Sequence, residues 1–169
     1  MRILIPIICL IVYICSSDTA AATFGVSDTN LWGAFSYHLF HASWLHLALN
    51  ALCYYLMYKP VCARWYARFR DNGMLINMYF AAVFASMFAA QDIPTVGLSG
   101  IIFAMLGALL ALNPTLKQLQ NYIYVGLAVL FQLFFGHSNV ALHIFAFIFG
   151  ALAVVIRIAA DTIQIKETE

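Results

Sequence analysis

Charge is what this sequence has least of. Asp, Glu, Lys and Arg together make up 9% of its 169 residues, against roughly 25% in a soluble domain. Hydrophobic residues reach 64%, more apolar surface than a soluble fold of this size can hide. The few basic residues are scattered through short stretches and form no clustered stripe, which excludes a nucleic-acid role. Cysteine is equally sparse. Cys9, Cys15 and Cys53 fall in apolar segments and Cys62 in a basic one, with no CxxC pair and no metal-ligand spacing, so they read as soft packing residues and no metal or cofactor is implied. No linker, low-complexity tract, internal repeat or separate soluble domain is visible, so residues 1–169 read as a single transmembrane domain.

What the chain does have is long uncharged runs. Six apolar segments stand out, at about residues 3–22, 35–58, 74–90, 98–112, 120–136 and 140–160. A bilayer core of about 30 Å takes roughly 20 helical residues. A backbone in lipid must satisfy its own hydrogen bonds, and these runs are too long and continuous for the alternating strands of an outer-membrane barrel. The expected fold class is therefore all-α: a polytopic six-helix bundle. The first segment is also compatible with a cleavable secretory signal, given Arg2, a short apolar core and the small residues 19–23. The charges favour an uncleaved helix. With six crossings and a cytoplasmic N-terminus, Arg2, Lys59, Arg64, Arg68, Arg70, Lys117, Arg157 and Lys166 all lie at the inner side, while the outer loops carry only Asp18, Asp28 and Asp92. That segregation follows the positive-inside rule and predicts a multi-pass protein of a cell (inner) membrane with both termini cytoplasmic.

Polar side chains inside such segments are costly, which marks them as functional candidates. The second segment contains HLFHASWLHLALN, in which His41, His46 and Asn50 form HxxxxHxxxN. On one continuous helix, His46 and Asn50 share a face one turn apart, both able to donate hydrogen bonds, while His41 is rotated roughly 140° away. The fourth segment opens with GLSG. Ser99 stands there at a helix N-terminus, where free N–H groups and the helix dipole suit an oxyanion, and Gly97 and Gly100 leave room for a tight turn or an approaching peptide backbone. Residues 98–112 span only about 22 Å as a helix, which should sink Ser99 below the outer surface behind a loop, 91–96, that dips into the protein. Small residues at Gly100, Ala104, Gly107 and Ala111, and at Ala146, Gly150 and Ala153, predict close packing of the fourth helix on the sixth. That contact would bring Ser99 to His143, and a neutral imidazole accepting the hydroxyl proton is the simplest way to activate a serine. His38 and His137 read as interfacial polar residues. The small-residue stripes serve contacts within a bundle as well as between protomers, so they leave the oligomeric state open.

The order HxxxxHxxxN, GxSG and a late His, with the string FHASWLHLALN, resembles the signature of rhomboid intramembrane serine proteases over residues 35–160. The resemblance implies a rhomboid-like fold, no metal or cofactor, and hydrolysis of transmembrane protein substrates near the extracytoplasmic face. Ser99 then matches the nucleophile and His143 the general base. His46, Asn50 and the Ser99 N–H match an oxyanion hole, His41 a supporting residue near the site mouth, and Phe103 an aromatic position packed on the base. Two other classes are compatible with parts of the sequence. One is a catalytically silent rhomboid-like protein that binds membrane clients. The other is a haem or metal protein using the five histidines, which leaves GLSG unexplained.

Overall fold

A computed structural model describes residues 1–17, 19–112, 123, 127 and 139–167. These residues fold into helices: α1 (Leu4–Cys15), the single turn α2 (Ala20–Phe24), two 3-10 turns (Leu31–Phe35 and Tyr37–Leu39), α3 (Trp44–Phe69), α4 (Met74–Phe88), α5 (Ser99–Leu112) and α6 (Val140–Glu167). Among the described residues the extended pairing amounts to one isolated antiparallel bridge, Val26 with Thr95. The expected segment 120–136 lies outside the described residues apart from two helical positions, 123 and 127.

Helix α5 is the axis of the structure. Every side chain from Ser99 to Leu109 is buried, and α3, α4 and α6 all pack around it. The small-residue stripes explain how α6 comes so close. A β-carbon at Gly107 would fall on the Phe147 carbonyl, and one at Gly150 on the Ala104 carbonyl. The two backbones are in contact at both places, which only a hydrogen side chain permits.

Helix α6 over Val140–Ile163, with mean hydropathy 2.3, is the one described helix both long and apolar enough to cross a bilayer. Helices α1, α4 and α5 are apolar but shorter, at 12, 15 and 14 residues. The first segment divides at Ser16, whose hydroxyl turns back to the Val12 carbonyl, so α1 stops well short of residue 22. It packs on α3 through Arg2, which donates to the Tyr55 carbonyl (3.0 Å) and stacks its guanidinium on the Tyr55 ring.

The second segment differs most from the expectation of 35–58. Its first nine residues do not join the α-helix, because Ser43 caps α3 by accepting the His46 N–H (3.2 Å). At the other end α3 runs through Pro60 to Phe69. A proline normally ends a helix because it lacks an N–H and crowds the preceding turn. Here Tyr54, Met57, Val61 and Trp65 continue one buried face on both sides of it, and core packing outweighs the local penalty. Arg70 then closes the helix in a left-handed conformation, its N–H on the Tyr66 carbonyl. Beyond it Asp71 accepts from Trp65 Nε1 (2.8 Å) and the Gly73 N–H (2.7 Å) and pairs with Arg157 of α6 (2.6 Å). This ties the far end of α3 to the second half of α6.

Candidate active site

Ser99 is the first residue of α5, and His143 lies on the first turn of α6, its N–H on the Asn139 carbonyl (3.2 Å). The contact of α5 with α6 brings the two side chains together, with His143 Nε2 2.9 Å from Ser99 Oγ. Both are buried, at 4% and 2% exposure, so water does not compete freely for this bond. Phe103, four residues after Ser99, shares its helix face and stacks on the imidazole, with centroids 4.4 Å apart and planes at 13°. The aromatic plane fixes the ring orientation in which a nitrogen meets the hydroxyl.

The segment before Ser99 is shaped by Gly97, whose φ of +123° is a conformation that L side chains rarely adopt. Its missing side chain matters as much as its backbone. A β-carbon there would lie 2.7 Å from His46 Nε2, 2.8 Å from His46 Cε1 and 3.5 Å from Asn50 Nδ2. The His46 and Asn50 face of α3 is therefore pressed against the peptide two residues ahead of Ser99. Asn50 is fully buried. Its Nδ2 donates to the His46 carbonyl (3.0 Å), whereas its Oδ1 has no hydrogen-bond partner among the described residues. His46 also lies within electrostatic range of His143. A developing negative charge near Ser99 would thus face the α5 N-terminus on one side and amide and imidazole groups of α3 on the other.

His41 corrects the helical-wheel argument. It precedes the Ser43 cap, so the 100°-per-residue rotation does not apply to it, and its buried ring returns to sit 5.2 Å from that of His46, edge to face. His38 is buried within the protein, with its ring 3.8 Å from that of Tyr37 and 5.2 Å from that of Tyr79. His137 lies outside the described residues.

Sequence reasoning missed Tyr37. Its carbonyl accepts the Gly97 N–H (2.9 Å), its hydroxyl donates to the Ala82 carbonyl (3.3 Å), and that hydroxyl occupies the space a side chain at Gly100 would need. Tyr37 thus braces the GLSG turn on both sides of Ser99, and Gly100 is glycine because Tyr37 is there. No local pattern announces this role, since the contacts span some 45 to 63 residues of chain. Among the described residues no cluster of three or more His, Cys, Asp or Glu side chains could hold a metal ion.

A family model of the Rhomboid domain matches residues 28–160, most of the chain, including every residue of this site. No curated protein matches the sequence.

Proposed function

The chain belongs to the rhomboid family, and from that premise we propose that it is an intramembrane serine endopeptidase with Ser99 as nucleophile and His143 as general base. The observation that carries this reading is the buried 2.9 Å bond between His143 Nε2 and Ser99 Oγ at the N-terminus of α5. In the proposed reaction Oγ attacks the scissile carbonyl carbon while its proton passes to Nε2. The oxyanion is held by the Ser99 N–H with His46 and Asn50, each such donor contributing roughly 3 kcal/mol of transition-state stabilisation. The imidazolium then gives its proton to the leaving amine, and the acyl group stays on Oγ. Water, deprotonated by the same imidazole, releases the new carboxylate and restores the serine. Phe103 and His41 support the two imidazoles that they touch, and Gly97 and Gly100 keep the turn open. No step calls for a metal or cofactor.

The substrates in this reading are transmembrane proteins that enter sideways from the lipid bilayer and are cut near the extracytoplasmic face. The enzyme itself forms one domain of six spans with both termini cytoplasmic in the cell (inner) membrane. The apolar span within α6 supports membrane insertion, and the segregation of basic residues supports the orientation. The test is cleavage of a generic transmembrane reporter by detergent-purified protein beside folded Ser99→Ala and His143→Ala variants. Cleavage by the wild type alone is expected. Equal cleavage by either variant would refute the assignment, and a wild type inert towards reporter and serine-directed probe would favour a silent client-binding protein.

A further inference from the structure

The base and the nucleophile of the proposed dyad stand on different helices, so something must fix the register of α6 against the loop that delivers Ser99. Packing of α5 on α6 sets how close the helices lie, but a stripe of small residues is smooth and defines sliding along the axis weakly. A directional contact is needed near the site, and the structure holds one. Asn139, directly before α6 and 4% exposed, engages its side-chain oxygen, its side-chain nitrogen and its backbone carbonyl. Its Oδ1 accepts the Leu142 N–H (3.0 Å), capping the helix, and its backbone carbonyl accepts the N–H of His143 itself (3.2 Å). Its Nδ2 donates to the Ala89 carbonyl (2.7 Å), just beyond the end of α4, and to Thr95 Oγ1 (3.2 Å), four residues ahead of Ser99.

One side chain therefore touches both ends of the loop 89–95 while its backbone holds the peptide of His143. The other side of that loop is held by the first outer segment, through the Val26–Thr95 bridge and the bond from the Asp28 N–H to the Gln91 carbonyl (3.1 Å). The geometry points to Asn139 as a positioning residue for the dyad, setting the His143 to Ser99 distance through the bond from Nδ2 to Thr95. The inference rests on the protease reading and adds to it a residue that acts through His143 and the loop and not on the Ser99 hydroxyl itself. Its two halves are chemically separable. An acceptor is required towards Leu142 and a donor towards the Ala89 carbonyl, whereas the Thr95 hydroxyl can accept or donate, and the amide meets all three partners from one side chain.

That separation provides the experiment. Asn139→Asp keeps an acceptor for the Leu142 N–H, and its negative charge suits a helix N-terminus, but it cannot donate to the Ala89 carbonyl, and it keeps Thr95 only by reversing that bond, with the hydroxyl as donor. Thr95→Val removes the acceptor at nearly constant shape, and Thr95→Ser restores it. Full-length protein is purified for each, its melting curve recorded, and kcat and KM for a transmembrane reporter measured beside the rate of Ser99 labelling by a fluorophosphonate. A displacement of about 1 Å in a catalytic pair can cost on the order of 10²-fold. Asn139→Asp is expected to lower kcat and the labelling rate about tenfold to a hundredfold with KM nearly unchanged. Thr95→Val should lose a few-fold and Thr95→Ser should match the wild type. Folded Asn139→Asp and Thr95→Val proteins with wild-type kcat and labelling would overturn the inference and leave the bonds a purely structural role. If Asn139→Asp does not fold, the contrast between Thr95→Val and Thr95→Ser decides, and equal rates overturn it. A wild type that neither cleaves nor labels refutes the protease reading itself, a result distinct from an active wild type with active variants.

Discussion

Replacing Gly97 with alanine adds one carbon at the point where α3 meets the turn before Ser99, and the structure separates its cost into two parts. The backbone part is the φ of +123°, a conformation that costs a side-chain-bearing residue roughly 1–3 kcal/mol. The contact part is the overlap with His46. The new β-carbon would stand 2.7 Å from Nε2, whereas ordinary contact begins at 3.4 Å, so the imidazole must retreat by about 0.7 Å. Misplacement on that scale costs up to about 10²-fold in rate, comparable with deleting one oxyanion donor. Gly97→Ala should therefore lower kcat about a hundredfold while Ser99 and His143 remain in place. The contact part disappears if His46 is already alanine. In that background Gly97→Ala should cost less than about tenfold, giving a coupling of at least about 1.4 kcal/mol between two touching residues, within the range such pairs show. The assay is steady-state cleavage of a transmembrane reporter by the four proteins of this cycle, each with its melting curve. Equal losses from Gly97→Ala with and without His46 would refute the reasoning, because the damage would then be backbone strain alone.

Three other outcomes follow from the same contacts. Phe103→Ala removes the ring stacked on His143 and should cost about 3–5 kcal/mol of stability as a core truncation together with a fall in kcat, whereas Phe103→Tyr should retain most of both; calorimetry and reporter kinetics check this. Gly150→Leu drives a side chain into the Ala104 carbonyl and should prevent α5 and α6 from closing, seen as loss of folded protein on gel filtration, while Ala153→Gly should be tolerated. The Asp71 carboxyl is held below its ordinary range by its bonds from Trp65 and the Gly73 N–H and by Arg157. A depressed carboxyl contributes stability above its unfolded pKa and loses it as pH falls through the folded value, so melting temperature should drop below about pH 4 in the wild type and less steeply in Asp71→Asn. The side chain is about a third exposed, so the difference should be small.

The parts of the fold that could be read from sequence are those set by local chemistry. Helices α4 and α5 begin within a residue of their expected positions because Gly73 and the GLSG turn punctuate them. The approach of α5 to α6 was visible in the spacing of Gly107, Gly150 and their small neighbours, since only such residues let two backbones touch. Helix α3 misled at both ends. The eight residues before its cap, 35–42, are apolar enough to pass for helix, yet only Phe35 and Tyr37–Leu39 wind, and they do so as 3-10 turns that carry Tyr37 under the site. At the other end Pro60 and the charges after it look like a stop, and the buried face through Trp65 overrides them. His41 was misjudged for the same reason, because a helical wheel presumes a helix already begun. Tyr37 and Asn139 escaped notice since their bonds run to segments 44 to 60 residues away, and nothing in their immediate neighbours encodes such partners.

The central claim is that Ser99 is a nucleophile because His143 makes it one. The most direct measurement is mass spectrometry of purified protein after a fluorophosphonate time course, with wild type and folded His143→Ala side by side. The account predicts a single adduct, on Ser99, forming in the wild type and slowed by at least about 10²-fold without the imidazole. An unmodified Ser99 in well-folded wild type, or an adduct that forms equally fast in His143→Ala, would contradict it.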